Sequence, residues 1–282
     1  MSGGVAACSV CGIRPAKYYR ASSGERLCER CLFGLLERAV ARVLGKAEAK
    51  ENSSFVVPIT SYSPSRSLLA ARVLAQVERR FKSRIYVLVP TFYKGLGEDI
   101  LKGAPQAAKA LWAEVTPPPP PEAKLIACIR YDRAWAAAAA RLLGADFIVM
   151  PTARTSSTII ALDSLMSDGG LGLTEAAELL DLGGLRSVNA LFYVEDEAVA
   201  AMEFLEGVAE ISPACRAYVS VKGVYESVAG RPEIDHSSAD VIEGLLSAAP
   251  YKRCRVCGGA SDGEVCSYCK LMRLEGLQVR LL

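Results

Sequence analysis

The stretch FVVPITSYSPSRSLLAARVL, residues 55–74, decides the fold class. A short run of β-branched apolar residues meets a hydroxyl-rich loop, and an amphipathic helix pattern begins directly afterwards. That order of strand, loop and helix is how a nucleotide-phosphate loop is laid out, with the N–H groups of a helix N-terminus facing the anion. The glycines that let a backbone approach phosphate closely are absent from it. Ser61, Ser63, Ser65, Arg66 and Ser67 are the candidate nucleotide- or anion-binding residues, because hydroxyls and a guanidinium at a helix start can hold an anion without glycine. The competing reading is an ordinary strand-to-helix connection rich in N-cap residues.

Outward from this stretch, strand and helix patterns alternate. Strands are expected near 55–59, 85–89, 124–129 and 146–150, and helices near 67–81, 105–115, 131–143 and 155–167. Further helices are suggested at 174–181, 195–207 and 237–248. Apolar strands separated by helices imply an α/β fold, a Rossmann-like parallel sheet covered on both faces. TPPPPP at 116–121 reads as a stiff connector inside that domain. Ligands in such sheets sit beyond the carboxyl ends of the strands, so loops 60–67, 128–132 and 150–156 are the places for chemistry.

The ten cysteines carry the most specific signal. CSVCG and CERC place Cys8, Cys11, Cys28 and Cys31 in two Cys-x-x-Cys turns, and CRVCG and CSYC repeat the pattern at Cys254, Cys257, Cys266 and Cys269. Paired turns of this kind close a tetrahedron around zinc, and a closed four-thiolate shell leaves no position for substrate, so two structural zinc ribbons are expected. Gly12 and Gly258 follow the second cysteine of a turn, where a positive φ is needed. Leu32, Leu35, Leu36, Ala39, Val40, Val43 and Leu44 form one helical stripe that would pack the first ribbon on the domain behind it. The chain thus divides into a ribbon plus helix at 1–50, an α/β domain at 51–250 and a second ribbon at 251–282.

Composition bounds the rest. With 282 residues and 51% hydrophobic content the chain can fill a sizeable core. No run reaches the roughly 18 apolar residues of a membrane span, and MSGGVAACSV lacks a signal core, so a cytoplasmic protein with no membrane partner is expected. Asn and Gln total only five, a balance resembling thermophile proteins. The formal charge of +2 falls to about −2 once two four-thiolate zinc sites are counted. Residues 1–50 hold nine Lys or Arg against four acids, and 251–282 hold six against three, so both ends could meet an anionic polymer, with Tyr18 and Tyr19 as stacking partners. Residues 155–210 carry eleven acids against Arg186 alone, which suggests a solvated face or a protein-docking surface. The sole histidine, His236, is expected in a loop near a helix start and has no assigned role.

CSVCG…CERC, LGADFIVMPTARTSSTIIALDSLMSDG, LFYVEDEAVAAMEFLEGV and YKRCRVCGGASDGEVCSYCKLMRLEGL together resemble the tRNA 2-thiouridine synthetases, the tRNA 2-thiolation proteins of the PP-loop ATPase superfamily. The resemblance covers nearly the whole chain. In that family the first loop reads Ser-Gly-Gly-x-Asp-Ser; here Ser61, Tyr62, Ser63, Pro64, Ser65, Arg66 and Ser67 supply neither a glycine pair nor an aspartate. A later family loop resembling His-Asn-Leu-Asp-Asp falls on Thr152, Ala153, Arg154, Thr155 and Ser156, without either acid. Iron–sulfur members use Cys-x-x-Cys plus a distant cysteine; this chain keeps Cys128 and Cys215, with Tyr131 at the second position. Two thiols fall short of that set, so the pair is a vestigial catalytic candidate: a persulfide relay, a disulfide or two buried small hydrophobes.

The resemblance implies a pseudoenzyme: a non-catalytic subunit like the degenerate partner of the eukaryotic system, whose loop resembles Ser-Gly-Gly-Pro-Ser-Ser and meets this chain at Pro64 and Ser65. It would bind tRNA and an active PP-loop paralogue, or itself as a homodimer. Two zinc ions are the expected cofactors, with ATP and an iron–sulfur cluster disfavoured. Two alternatives are an active ATP-dependent tRNA 2-thiouridine synthetase with an altered phosphate loop, and a free-standing zinc-ribbon RNA-binding protein.

Overall fold

Residues 54–58 are buried at every position, which is why a continuous apolar run rather than an alternating one encodes the central strand. The computed structural model describes residues 6–220, 223, 231–248 and 251–282. Its elements in the first half are β1 (Tyr18–Arg20), β2 (Glu25–Leu27), α1 (Glu29–Lys46), β3 (Ser54–Pro58), α2 (Pro64–Val77), β4 (Arg84–Pro90), α3 (Gly97–Gly103), β5 (Lys109–Thr116), β6 (Glu122–Lys124) and α4 (Leu125–Leu143). There follow β7 (Phe147–Ala153), α5 (Arg154–Ser167), α6 (Leu173–Ala176), β8 (Leu179–Asp181), β9 (Arg186–Leu191), α7 (Asp196–Leu205), β10 (Arg216–Tyr218), α8 (Pro232–Ala248), β11 (Lys252–Arg253), β12 (Ala260–Ser261), α9 (Ser267–Leu271) and β13 (Gln278–Leu281).

Seven strands form the main sheet in the order β13-β5-β4-β3-β7-β9-β8. The four inner pairings, from β5 to β9, are parallel. The edge strands β13 and β8 run antiparallel to their neighbours, so the sheet is mostly rather than wholly parallel. Because successive side chains on a strand point to opposite faces, Phe55 and Val57 enter one core with α1, α2 and α7, while Val56 enters another with α4 and the C-terminal cysteines. Helices therefore cover both faces of the α/β fold, as expected. Among the described residues no helix is long and apolar enough to cross a membrane.

Several expectations are corrected. The segment 105–115 is not a helix: residues 109–116 form β5, whose alternating Ala113 and Val115 are buried between β4 and β13. Its alanines favour a helix locally, and strand pairing on both sides overrides them. The expected strand at 124–129 is the first turns of α4, in which nearly every residue from Ile126 to Ala140 is buried. A helix packed on all sides carries no polar stripe, so its start reads as a strand. Consequently 128–132 lies inside a helix and is not a loop. Residues 174–181 break into the short α6 and the edge strand β8, and the strands β9 and β13 went unexpected. His236 falls within α8 rather than a loop. The acidic run is not one solvated face, since Asp163, Glu175 and Glu195 are buried.

Candidate functional site

The carboxyl ends of β3 and β7 aim the starts of α2 and α5 toward one another. At the first of these, Thr60 to Ser67 form a closed hydrogen-bond system. The Ser67 hydroxyl donates to Ser63 O at 3.0 Å and accepts from Thr60 N at 3.1 Å. Ser65 Oγ donates to Ala209 O at 2.9 Å and accepts from Ile211 N at 3.0 Å. Ser61 donates through both N and Oγ to Asp132 Oδ2, at 2.7 and 2.8 Å. Ser63, at the helix start, makes no side-chain cap. Pro64, at the first helical position, has no N–H to offer an anion.

Asp132 is the floor of this site. It is fully buried in α4, and its other oxygen accepts from Trp135 Nε1 at 2.9 Å. Burial pushes its pKa up to about 7, against the hydrogen bonds from Trp135 and Ser61, which lower it. Tyr93 braces the loop from the β4 side, donating to Thr60 O at 3.0 Å. Tyr62 reaches across to Thr152, with 3.3 Å between their hydroxyls.

The second helix start is closed by a carboxylate of the chain itself. Asp196, the first residue of α7, accepts from Ser156 N at 2.8 Å and from Ser156 Oγ at 2.7 Å, which satisfies an orphan donor in the first turn of α5. Arg66 completes an ion pair with Asp196, and that charge holds the guanidinium above its ordinary pKa despite burial. Two residues before Ser156, Arg154 pairs with Glu195, which also accepts from Arg20 and from Ser22 Oγ at 2.8 Å. The hairpin of the first ribbon is thereby tied to the β9–α7 turn. Burial raises the Glu195 carboxyl, but Arg20 and Arg154 hold it below the usual range.

Cys128 and Cys215 are joined in a disulfide across 87 residues of chain. The bond connects the first turn of α4 to the start of β10, and Cys215 N donates to Ser61 O at 2.9 Å. The sulfur pair therefore lies beside the loop that carries Ser61. Tyr131 is buried and donates to Pro117 O at 2.9 Å, so its ring fills packing space rather than a ligand position.

The remaining eight cysteines gather into two groups. The sulfurs of Cys8, Cys11, Cys28 and Cys31 lie within 4.8 Å of one another, as do those of Cys254, Cys257, Cys266 and Cys269. Both sets have the donor chemistry of a closed metal site. Gly12 and Gly258 take φ of +65° and +74° and return their N–H groups to Cys8 O and Cys254 O at 2.8 Å each. The second group is the more deeply anchored. Arg133 Nε donates to Cys257 O at 2.7 Å, and Arg130 Nη2 pairs with Glu175 at 3.0 Å in a fully buried cluster that Arg133 shares. Two guanidiniums against one carboxylate leave positive charge facing thiolates that carry a formal −2 with a zinc ion bound. Gly259 sits on this cluster: a Cβ there would meet Glu175 Oε1 at 2.7 Å and Arg133 Nη2 at 2.8 Å.

Of the sequence candidates, Ser61, Ser65, Arg66 and Ser67 meet at one place with Cys215, but their polar atoms are turned onto the chain itself. Asp132, Asp196, Trp135 and Tyr93 were not anticipated there. The one signal for Asp132 is its position in LIACIRYDRAWAAAAARLL, within a tight group of charges in an otherwise apolar helix.

No family model matches the chain, and no curated protein matches it. Among solved structures it is similar to the U34-tRNA thiolase NcsA from Methanococcus maripaludis with its [4Fe-4S] cluster, at a TM-score of 0.69 over 95% of each chain. The two share 16% identity, so the likeness is one of fold. The chain is an α/β protein with a mostly parallel sheet and a four-cysteine cluster near each end.

Proposed function

We propose that the chain acts in tRNA uridine 2-thiolation as a non-catalytic, PP-loop-like subunit, binding tRNA and an ATP-active relative or a second copy of itself. The fold likeness to a tRNA thiolase supports the pathway class. One observation carries the non-catalytic part: the helix starts that would face a nucleotide are closed by this chain's own groups. Asp196 caps α5, and the hydroxyls of Ser61, Ser65 and Ser67 are bonded to Asp132, Ala209 and Ser63. ATP binding would have to break these bonds, and neither loop supplies the carboxylate that a magnesium ion would need.

The eight clustered cysteines fit two zinc ions in structural ribbons. Cys128 and Cys215 supply two of the three cysteines that an iron–sulfur site of the family's kind uses, and the other eight cysteines fall into two four-sulfur groups, which supports a chain without that cluster. On this reading residues 1–50, 51–250 and 251–282 are ribbon, PP-loop-like domain and ribbon. Purification from the source organism tests it: the chain is expected with tRNA and with a PP-loop ATPase or a second copy of itself, and recovery with neither tRNA nor a PP-loop ATPase rejects the proposal.

A second reading rests on the disulfide. Cys128 and Cys215 lie beside Ser61, and once reduced they are this chain's candidates for carrying sulfur in an active synthetase. Calorimetry separates the two, since an active enzyme binds ATP with magnesium saturably and a closed site does not.

A further inference from the structure

The segment VERRFKSR, residues 77–84, closes α2 and turns into β4. Its single acid is turned inward: Glu78 is buried and accepts from Ser83 Oγ, and burial raises its carboxyl above the usual range. The cations Arg79, Arg80, Lys82 and Arg84 are left on the outside of the turn, beside the exposed ring of Phe81. Among the described residues none of these four makes an ion pair, and neither does Arg38 on the adjoining helix α1. Two clefts meet at Gln76 and Arg79. One, of about 780 Å³, runs between α1 and α2 past Arg38 and Phe81. The other, of about 540 Å³, continues past Phe33 to Lys102.

The acids in the walls do not cancel this charge. Glu206 lies against Arg72, which donates to Glu206 O and Gly103 O at 3.0 Å each and so braces the second cleft. Glu37 remains against the three arginines Arg38, Arg79 and Arg80. Lys102 touches Glu98 only as an exposed pair, which is worth little.

We infer that these joined clefts are a track for the phosphate backbone of a structured RNA, with Phe81 available to a base or ribose at its end. The inference deepens the tRNA reading above and rests on it. Unpaired arginines beside exposed aromatics suit RNA, because guanidiniums pair with phosphate bidentately and rings stack on bases. An acidic protein would match the charge as well, and the competition experiment below separates it from RNA. The track begins at the far end of α2 from Ser63. The 14 residues of that helix separate the two by about 21 Å. RNA held there is gripped by its body, one helix length from the loop that ends at Ser63.

The test measures binding of a tRNA transcript to the zinc-loaded full chain at several salt concentrations, alongside Arg79→Ala/Arg80→Ala. Neither side chain holds an ion pair, and matching thermal melts check that the variant is folded. The inference predicts about tenfold or greater weakening and a slope of log K against log salt that is shallower by about 2. Wild type that binds tRNA with an equally tight double variant overturns the track and leaves the tRNA reading intact. Wild type that binds no tRNA overturns both. Competition by polyglutamate as effective as by tRNA overturns the RNA assignment and marks the face as a dock for an acidic protein.

Discussion

Asp132→Asn tests whether the floor of the loop is neutral. In the folded chain burial raises this carboxyl from 3.8 to about 7. A carboxyl that binds its proton more tightly when folded stabilises the fold fully below its unfolded pKa, and that contribution is gone once pH exceeds the folded value. The window is therefore about pH 4 to about pH 7, with stability falling as pH rises. Linkage over the span from about pH 5 to about pH 8 gives a loss of about 2.5 kcal/mol. Asparagine does not titrate but must give up one of the bonds from Ser61 or Trp135, a pH-independent cost of about 1 kcal/mol. Urea unfolding of both zinc-loaded proteins at the two pH values reads the effect, and taking the difference removes every titration they share. Wild-type stability relative to the variant should drop by about 2.5 kcal/mol at the higher pH. A difference that holds constant to within about 0.5 kcal/mol refutes the argument that desolvation keeps Asp132 protonated.

Other outcomes follow from the second ribbon and its seat. Gly259→Ala should lose about 2 kcal/mol in thermal or urea melts, because its methyl must displace Glu175 or Arg133 from a buried cluster. Glu175→Ala strands two buried guanidiniums and should lose about 3–5 kcal/mol. Glu175→Gln, which keeps the size and part of the hydrogen bonding, should lose clearly less. Metal analysis should find about two zinc per chain. Cys266→Ser should lower the melting temperature more than Cys11→Ser, because the second cluster is buried at all four cysteines and joins the core under α4.

What the sequence made legible was whatever local spacing encodes. The Cys-x-x-Cys turns with Gly12 and Gly258, and the strands β3, β4 and β7 as uninterrupted apolar runs, declare themselves within a few residues. The strand β5 does not, since Ala-rich residues 107–113 prefer a helix until β4 and β13 pair with them. The start of α4 was hidden for the opposite reason: burial on all sides erases helical periodicity. The site was half legible. Its hydroxyls could be counted, but their partners lie far along the chain, Asp132 at 71 residues from Ser61 and Asp196 at 130 from Arg66. A loop that reads as an anion cradle in sequence becomes a self-satisfied turn only when those distant carboxylates arrive.

Closure of the starts of α2 and α5 by the chain's own side chains is the claim on which the proposed function depends. Isothermal titration of the zinc-loaded chain with ATP and magnesium measures it directly, with turnover followed in the same samples. The account predicts no saturable heat at millimolar nucleotide and no release of phosphate or pyrophosphate. Saturable ATP binding in that range, or steady turnover by the chain alone, contradicts it.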